Sequence, residues 1–142
     1  MIKTIPADYA PSPTLLKDRA ILVTGAGDGI GKAAAIAFAK HGATVILLGK
    51  TVAKLEKTYD EIEKAGGAAP AIYPLNLAGA GWKDYGELAA TIEREFGRLD
   101  GILHAAAHFK QFSTLDDIGP QEWIETLHVD LTGAYALTLH CL

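Results

Sequence analysis

Residues 20–31 read Ala20-Ile21-Leu22-Val23-Thr24-Gly25-Ala26-Gly27-Asp28-Gly29-Ile30-Gly31. The first five form a short, continuous apolar run, as expected for a strand buried on both faces. The glycines stop it, and from Ile30 the period changes. Ile30, Ala33, Ala34, Ala37 and Phe38 fall at i, i+3, i+4, i+7 and i+8, which predicts one buried face of a helix. Gly42 closes that helix. A buried strand that turns through glycines into a helix is the start of a strand–helix–strand unit.

The same alternation continues outward. Thr44 to Leu48 reads as a second buried strand. Val52, Leu55, Tyr59 and Ile62 form the apolar stripe of a second helix, which Gly66-Gly67 ends. Ala71 to Leu75 is a third strand. Pro74 cannot donate to a ladder, so this strand belongs at a sheet edge. A helix from about Lys83 to Phe96 is expected to bury Leu88, Ile92 and Phe96. Gly101 to Ala106 is a fourth strand. A loop then leads to Pro120 and a last helix, whose stretch from Leu131 to Leu142 is apolar nearly all round and so expected to be buried.

Four alternations with short connections imply parallel strands and right-handed crossovers, an α/β doubly wound sheet. The strand order 3-2-1-4 places the Pro74 strand at an edge. Residues 1–17, broken by Pro6, Pro11 and Pro13, read as an irregular arm before a domain spanning 18–142.

Composition narrows the function classes. In 142 residues, 49% are hydrophobic and 21% charged, a folding composition. The formal net charge of -4 argues against nucleic acid as a partner. No apolar run is long enough to span a membrane. The single cysteine, Cys141, has no partner for a disulfide or a zinc site, so a reducing, cytoplasmic setting is expected. His104 and His108 lack the Glu of H-E-x-x-H, and no metal site is expected.

The glycine loop carries the chemistry. Missing side chains let a diphosphate approach the backbone, and the helix N-terminus offers free N–H groups and partial positive charge. The plain G-x-G-x-x-G spacing fails at Ile30. The phosphate-loop pattern fails too, because Ala26 and Ala33 replace its first Gly and its hydroxyl. The pattern that fits is T-G-x-x-x-G-x-G, Thr24-Gly25 to Gly29-Ile30-Gly31.

That pattern resembles the short-chain dehydrogenase/reductase family, and the resemblance runs in order along the chain. Asn76-Leu77 stands where the family usually has Asp and an apolar residue contacting adenine. His104-Ala105-Ala106-Ala107 stands for Asn-Asn-Ala-Gly. Trp123 followed by Val129-Asp130-Leu131-Thr132-Gly133 is similar to the W…VN-x-x-G helix. Within the family, the YciK-like bacterial oxidoreductases carry T-G-A-x-D-G-I-G and I-L-L-G-[RK] segments that look much like those here. The resemblance implies a Rossmann-type sheet, with Gly25, Asp28, Gly29, Ile30, Gly31, Lys50, Asn76, Leu77 and Ala105 at the cofactor.

The cofactor that the resemblance implies is NADP or NAD. At the end of the second strand, an acid would bond the ribose 2′-OH of NAD. Gly49-Lys50 offers none, and Lys50 suits a 2′-phosphate. Asp28 argues the other way, because NADP-preferring members often carry a base there. These residues lean to NADP.

The family transfers hydride between the nicotinamide and an alcohol or carbonyl carbon, using Tyr-x-x-x-Lys and a Ser. No tyrosine here has a lysine four residues on, and the Ser follows a fifth strand that this sequence does not contain. The one catalytic position in range bears Asp130 where the family has Asn; an ionised carboxylate accepts but cannot donate. The expectation is therefore the cofactor-binding half of an oxidoreductase. The alternative is a non-catalytic nucleotide-binding or interaction module that pairs with another chain. The apolar fourth strand and last helix call for a cover, either a homo-oligomer or a completing chain segment.

Overall fold

A computed structural model describes residues 5–109 and 112–142. Residues 1–4 of the arm and 110–111 of the loop before Pro120 lie outside them. Strand β1 (Ala20–Thr24) is buried at every position. It pairs in parallel with β2 (Thr44–Gly49), Ala20 opposite Thr44. On its other side it pairs with β4 (Gly101–Leu103), Ile21 opposite Gly101. Strand β3 (Ala71–Pro74) pairs with β2, Ile46 opposite Ala71. The order is β3-β2-β1-β4, so Pro74 does lie on an edge strand.

Side chains alternate across a strand, and here the alternation feeds two cores. Leu22, Ile46 and Leu48 face Tyr85, Leu88, Ile92 and Leu137, from α3 (Trp82–Phe96) and α5 (Ala134–Cys141). Ile21, Val23, Val45 and Leu47 face Ala35, Ala39, Leu55 and Ile62, from α1 (Gly29–Lys40) and α2 (Val52–Lys64). A helix layer on each face of a parallel sheet is the doubly wound arrangement.

Four local expectations need correction. Helix α1 buries Gly31, Ala35 and Ala39, not the stripe starting at Ile30, which is 81% exposed. The helix is rich in alanine on every side, so periodicity determines its face weakly, and the smallest residues settle closest to the sheet. In α2 the buried set is Leu55, Thr58 and Ile62, with Val52 exposed. Strand β4 ends at Leu103 instead of Ala106, because the next amides turn to a side chain of β1, described below.

The last helix runs as α4 (Pro120–Thr126), a π-helical stretch from Leu127 to Gly133, and α5. It is not buried all round. Val129, Gly133, Ala136 and Leu137 face inward, whereas Leu131 (63%), Tyr135 and Leu139 are exposed. Among the described residues no element covers that side and no strand pairs with the outer edge of β4.

An ionic clamp closes the bottom of the sheet, where α3 hands over to β4. The Asp100 carboxylate accepts from Arg98 Nε at 2.8 Å, Arg19 Nη1 at 2.8 Å and the Ala20 N–H at 2.9 Å. The bonds from Arg98 and then Arg19 hold its carboxyl well below the usual carboxylate range. A carboxyl depressed on folding stabilises the fold fully above its unfolded value, near pH ~3.9, and loses that contribution as pH falls toward the lower folded value. Asp100→Asn is therefore expected to lower Tm at pH 7 and to flatten the fall of Tm below about pH 4. Thermal melts between pH 2 and 7 check this; an unchanged acid limb would assign acid unfolding to other carboxylates.

Candidate functional site

The strand ends β1, β2 and β3 and the loop after β4 open on one cleft of about 560 Å³. A cleft outside the carboxyl ends of the strands, where the order reverses, is where open α/β sheets take their ligands. Each wall has its own chemistry.

The floor is the glycine loop. Gly25 has φ +65°, a left-handed conformation, and an added Cβ would sit 2.9 Å from the backbone of Ala106. The turn is therefore tight on both sides. Ala26 anchors it through its backbone: its N–H donates to Leu48 O at 3.1 Å. Its carbonyl accepts from Thr58 Oγ1 at 3.0 Å in a buried site. Asp28 caps α1, its Oδ1 accepting from the Gly29 N–H at 2.8 Å. Gly29 (φ +50°) lines the cleft, and a Cβ there would meet nothing within 4 Å. The backbone is thus bare where the N-terminus of α1 faces the opening, as an anionic diphosphate requires.

Gly31 does not line the cleft. It is buried against β1, where an added Cβ would collide with the Gly25 carbonyl. It sets the closeness of helix to strand, which lets the loop be short.

The corner at the end of β2 is basic. Gly49, Lys50, Thr51 and Lys54 line it opposite Asp28. Lys50 is exposed and makes no ion pair among the described residues. Lys54 Nζ donates to Asp28 Oδ2 at 2.6 Å, and this bond is the main reason the Asp28 carboxyl lies below its ordinary value. The third wall is Leu75, Asn76, Leu77 and Ala78. Asn76 Oδ1 accepts from the Ala78 N–H at 3.2 Å, a local turn, while Leu77 is buried in the core.

The far wall is Ala105, Ala106, Ala107, His108 and Val129. The amides of Ala105 and Ala106 both donate to Thr24 Oγ1 at 3.0 Å. Asp130 lies outside the cleft lining, and its Oδ1 accepts from the His108 N–H at 2.7 Å. It holds the wall from behind. His108 Nε2 faces Glu125 Oε2 at 3.4 Å.

Of the sequence candidates, the cleft gathers Gly25, Asp28, Gly29, Ile30, Lys50, Asn76, Leu77 and Ala105, while Gly31 and Asp130 act one layer back. Sequence reasoning missed Lys54 and Thr58, and placed Thr24 in the motif without a role for its hydroxyl. Thr58 left a faint signal, a hydroxyl residue beside the apolar stripe of α2. No group of three or more potential metal ligands occurs among the described residues, and no helix there is long and apolar enough to cross a membrane.

Comparison with known proteins gives the family and the fold. The family model for short chain dehydrogenase matches residues 19–142. The chain is 38% identical over 130 residues to the uncharacterised oxidoreductase YciK of Escherichia coli, covering 92% of this chain and 52% of that one. Among solved structures, a short-chain-dehydrogenase structure from Pseudomonas syringae shares 47% identity at a TM-score of 0.90, over 95% of this chain and 55% of that one. Another, from Shigella flexneri, was solved in complex with NADP; it shares 37% identity at a TM-score of 0.88, over 92% of this chain and 55% of that one. The chain thus spans about half the length of these relatives.

Proposed function

This chain belongs to the short-chain dehydrogenase family, and we propose that it binds an NADP-type dinucleotide as the cofactor-binding half of an oxidoreductase. One observation carries the reading. A bare glycine loop at a helix N-terminus shares a cleft with Lys50, which has no ion-pair partner among the described residues, and no acid stands at the end of β2. The complex of the Shigella flexneri relative with NADP supports it.

Each residue then has a task. Gly25, Gly27 and Gly29 let the diphosphate reach main-chain N–H groups, and the N-terminus of α1 favours its charge. Asn76 and Leu77 wall the adenine, and Ile30 flanks the loop. Lys50 meets the 2′-phosphate as a point charge. Ala105 to Ala107 and Val129 exclude water from the nicotinamide end. Asp130 acts through the His108 backbone as a positioning residue. When bound, the nicotinamide supplies the hydride donor or acceptor.

The sequence holds no Tyr-x-x-x-Lys. Proton transfer and the substrate site are therefore assigned to polypeptide beyond these residues. The same further polypeptide, or a second copy of the chain, is proposed to cover β4 and the exposed Leu131, Tyr135 and Leu139. We place the protein in the cytoplasm on its single cysteine.

A second reading, a nucleotide-binding module without catalysis, is favoured by one feature. Asp130, at the family's Asn position, has its carboxylate committed to a backbone amide.

Fluorescence titration with NADPH and NADH tests the cofactor assignment. NADPH is expected to bind more tightly. Lys50→Ala should weaken NADPH about tenfold, the loss of ~1.4 kcal/mol from one charge-assisted contact, and leave NADH unchanged. Equal dissociation constants in the unaltered chain would remove the NADP preference. Binding of neither would overturn the reading.

A further inference from the structure

Asp28 is a puzzle for an NADP site. It puts a carboxylate on the glycine loop, facing the corner where a ribose 2′-phosphate would lie. Like charges so placed repel, and this corner is too exposed to keep the acid protonated. The structure supplies the missing element on α2. We propose that Lys54 is a cofactor-discriminating residue: it neutralises Asp28 and, with Lys50, makes the corner at the end of β2 accept a 2′-phosphate. The proposal rests on the dinucleotide reading above and adds what sets its NADP-over-NAD selectivity.

Three observations converge. First, both Asp28 oxygens are engaged. Oδ1 caps the Gly29 N–H and Oδ2 accepts from Lys54 Nζ, so the carboxylate is held in place and cannot swing toward a 2′-OH without breaking a bond. Second, the lysine stem is seated against the loop. A Cβ added at Gly27 would stand 2.8 Å from Lys54 Cβ, so glycine at 27 is what lets α2 approach this closely. Third, Lys50, Lys54 and Asp28 all line the same cleft, giving two cations against one anion.

The pair is solvent-facing, Asp28 at 75% and Lys54 at 54% side-chain exposure. Exposed pairs contribute little to stability, so Lys54 can share its charge with an incoming phosphate at small cost. In the free protein the ammonium is held at the rim, ready for that anion. Without Lys54, the released Asp28 carboxylate would repel a phosphate and become free to accept from a ribose hydroxyl, the arrangement that suits NAD.

The experiment is titration of the full 142-residue chain with NADPH and NADH separately, followed by nicotinamide fluorescence, with a melting curve for each variant. The quantity read is the ratio of the NADH to the NADPH dissociation constant. Lys54→Met is expected to lower that ratio at least tenfold, chiefly through weaker NADPH binding. Lys54→Arg should keep it. Asp28→Asn should raise it, because Lys54 is then free for the phosphate. Adding Asp28→Asn to Lys54→Met should recover much of the lost selectivity. If Lys54→Met binds NADH normally with the ratio unchanged, the proposal is overturned while the cofactor reading stands. If the unaltered chain binds neither nucleotide, both fall together.

Discussion

Gly31→Ala is expected to destabilise the chain by about 3 kcal/mol, a severe overpacking cost. The sign is the informative part. Inside an exposed helix, glycine to alanine would gain up to ~1 kcal/mol from helix propensity. Here the new methyl would strike the Gly25 carbonyl, with Gly25 C at 2.8 Å and Thr24 O at 3.0 Å. All three are backbone atoms and cannot rotate aside. Either α1 lifts off β1 or the loop deforms, and both move the helix N-terminus away from the cleft. Melting should show Tm lowered by roughly 10 °C for a domain of this size, and NADPH titration should show binding lost. Gly101→Ala is the control, since nothing lies within 4 Å of its added Cβ. A Gly31→Ala protein as stable as the original would refute the close-packing role.

Thr24→Val should have the second largest effect. The swap keeps shape and removes the hydroxyl. Thr24 is buried, and its Oγ1 accepts from two consecutive amides, Ala105 and Ala106. Leaving both donors without a partner costs ~1–3 kcal/mol each, so a total loss of about 3 kcal/mol is expected. Thr24→Ser, which keeps the oxygen, should recover most of it. The consequence reaches function, because these amides shape the far wall of the cleft. The NADPH dissociation constant should rise with the loss of Tm in Thr24→Val and return in Thr24→Ser. Equal melting curves for the two variants would show that water or another acceptor serves those amides.

Thr24→Val acts on contacts between distant parts of the chain, Gly31→Ala on a contact within one strand-to-helix turn, and the same distinction separates what was legible in the residues from what was not. The alternation of apolar runs and amphipathic stretches, the glycine turn at 25–31 and the proline in the third strand were enough to place four parallel strands in the order 3-2-1-4. These features are local. A buried strand must be apolar along its length, a helix must repeat near 3.6, and a proline cannot donate to a ladder wherever it lies. Most of the cleft was legible for the same reason: its lining lies at strand ends, and the topology of an open sheet gathers strand ends together.

Five features lay outside that logic. The alanine-rich α1 has nearly equivalent faces, so only packing against Val23, Val45 and Leu47 selected Ala35 and Ala39, and close approach to Thr24 and Gly25 selected Gly31. The last helix reads as apolar all round, yet only the side packed on α3 and the sheet is buried. Thr24 reaches amides more than eighty positions away, Lys54 meets Asp28 across twenty-six, and Asp130 holds His108 across twenty-two. The sequence alone determined the elements, the order of the sheet and the chemistry of the glycine loop, because each follows from short-range sterics and periodicity. Only the tertiary structure decided which hydroxyl, which carboxylate and which ammonium meet, because a hydrogen bond depends on ångström-scale approach between segments that nothing in their own residues relates.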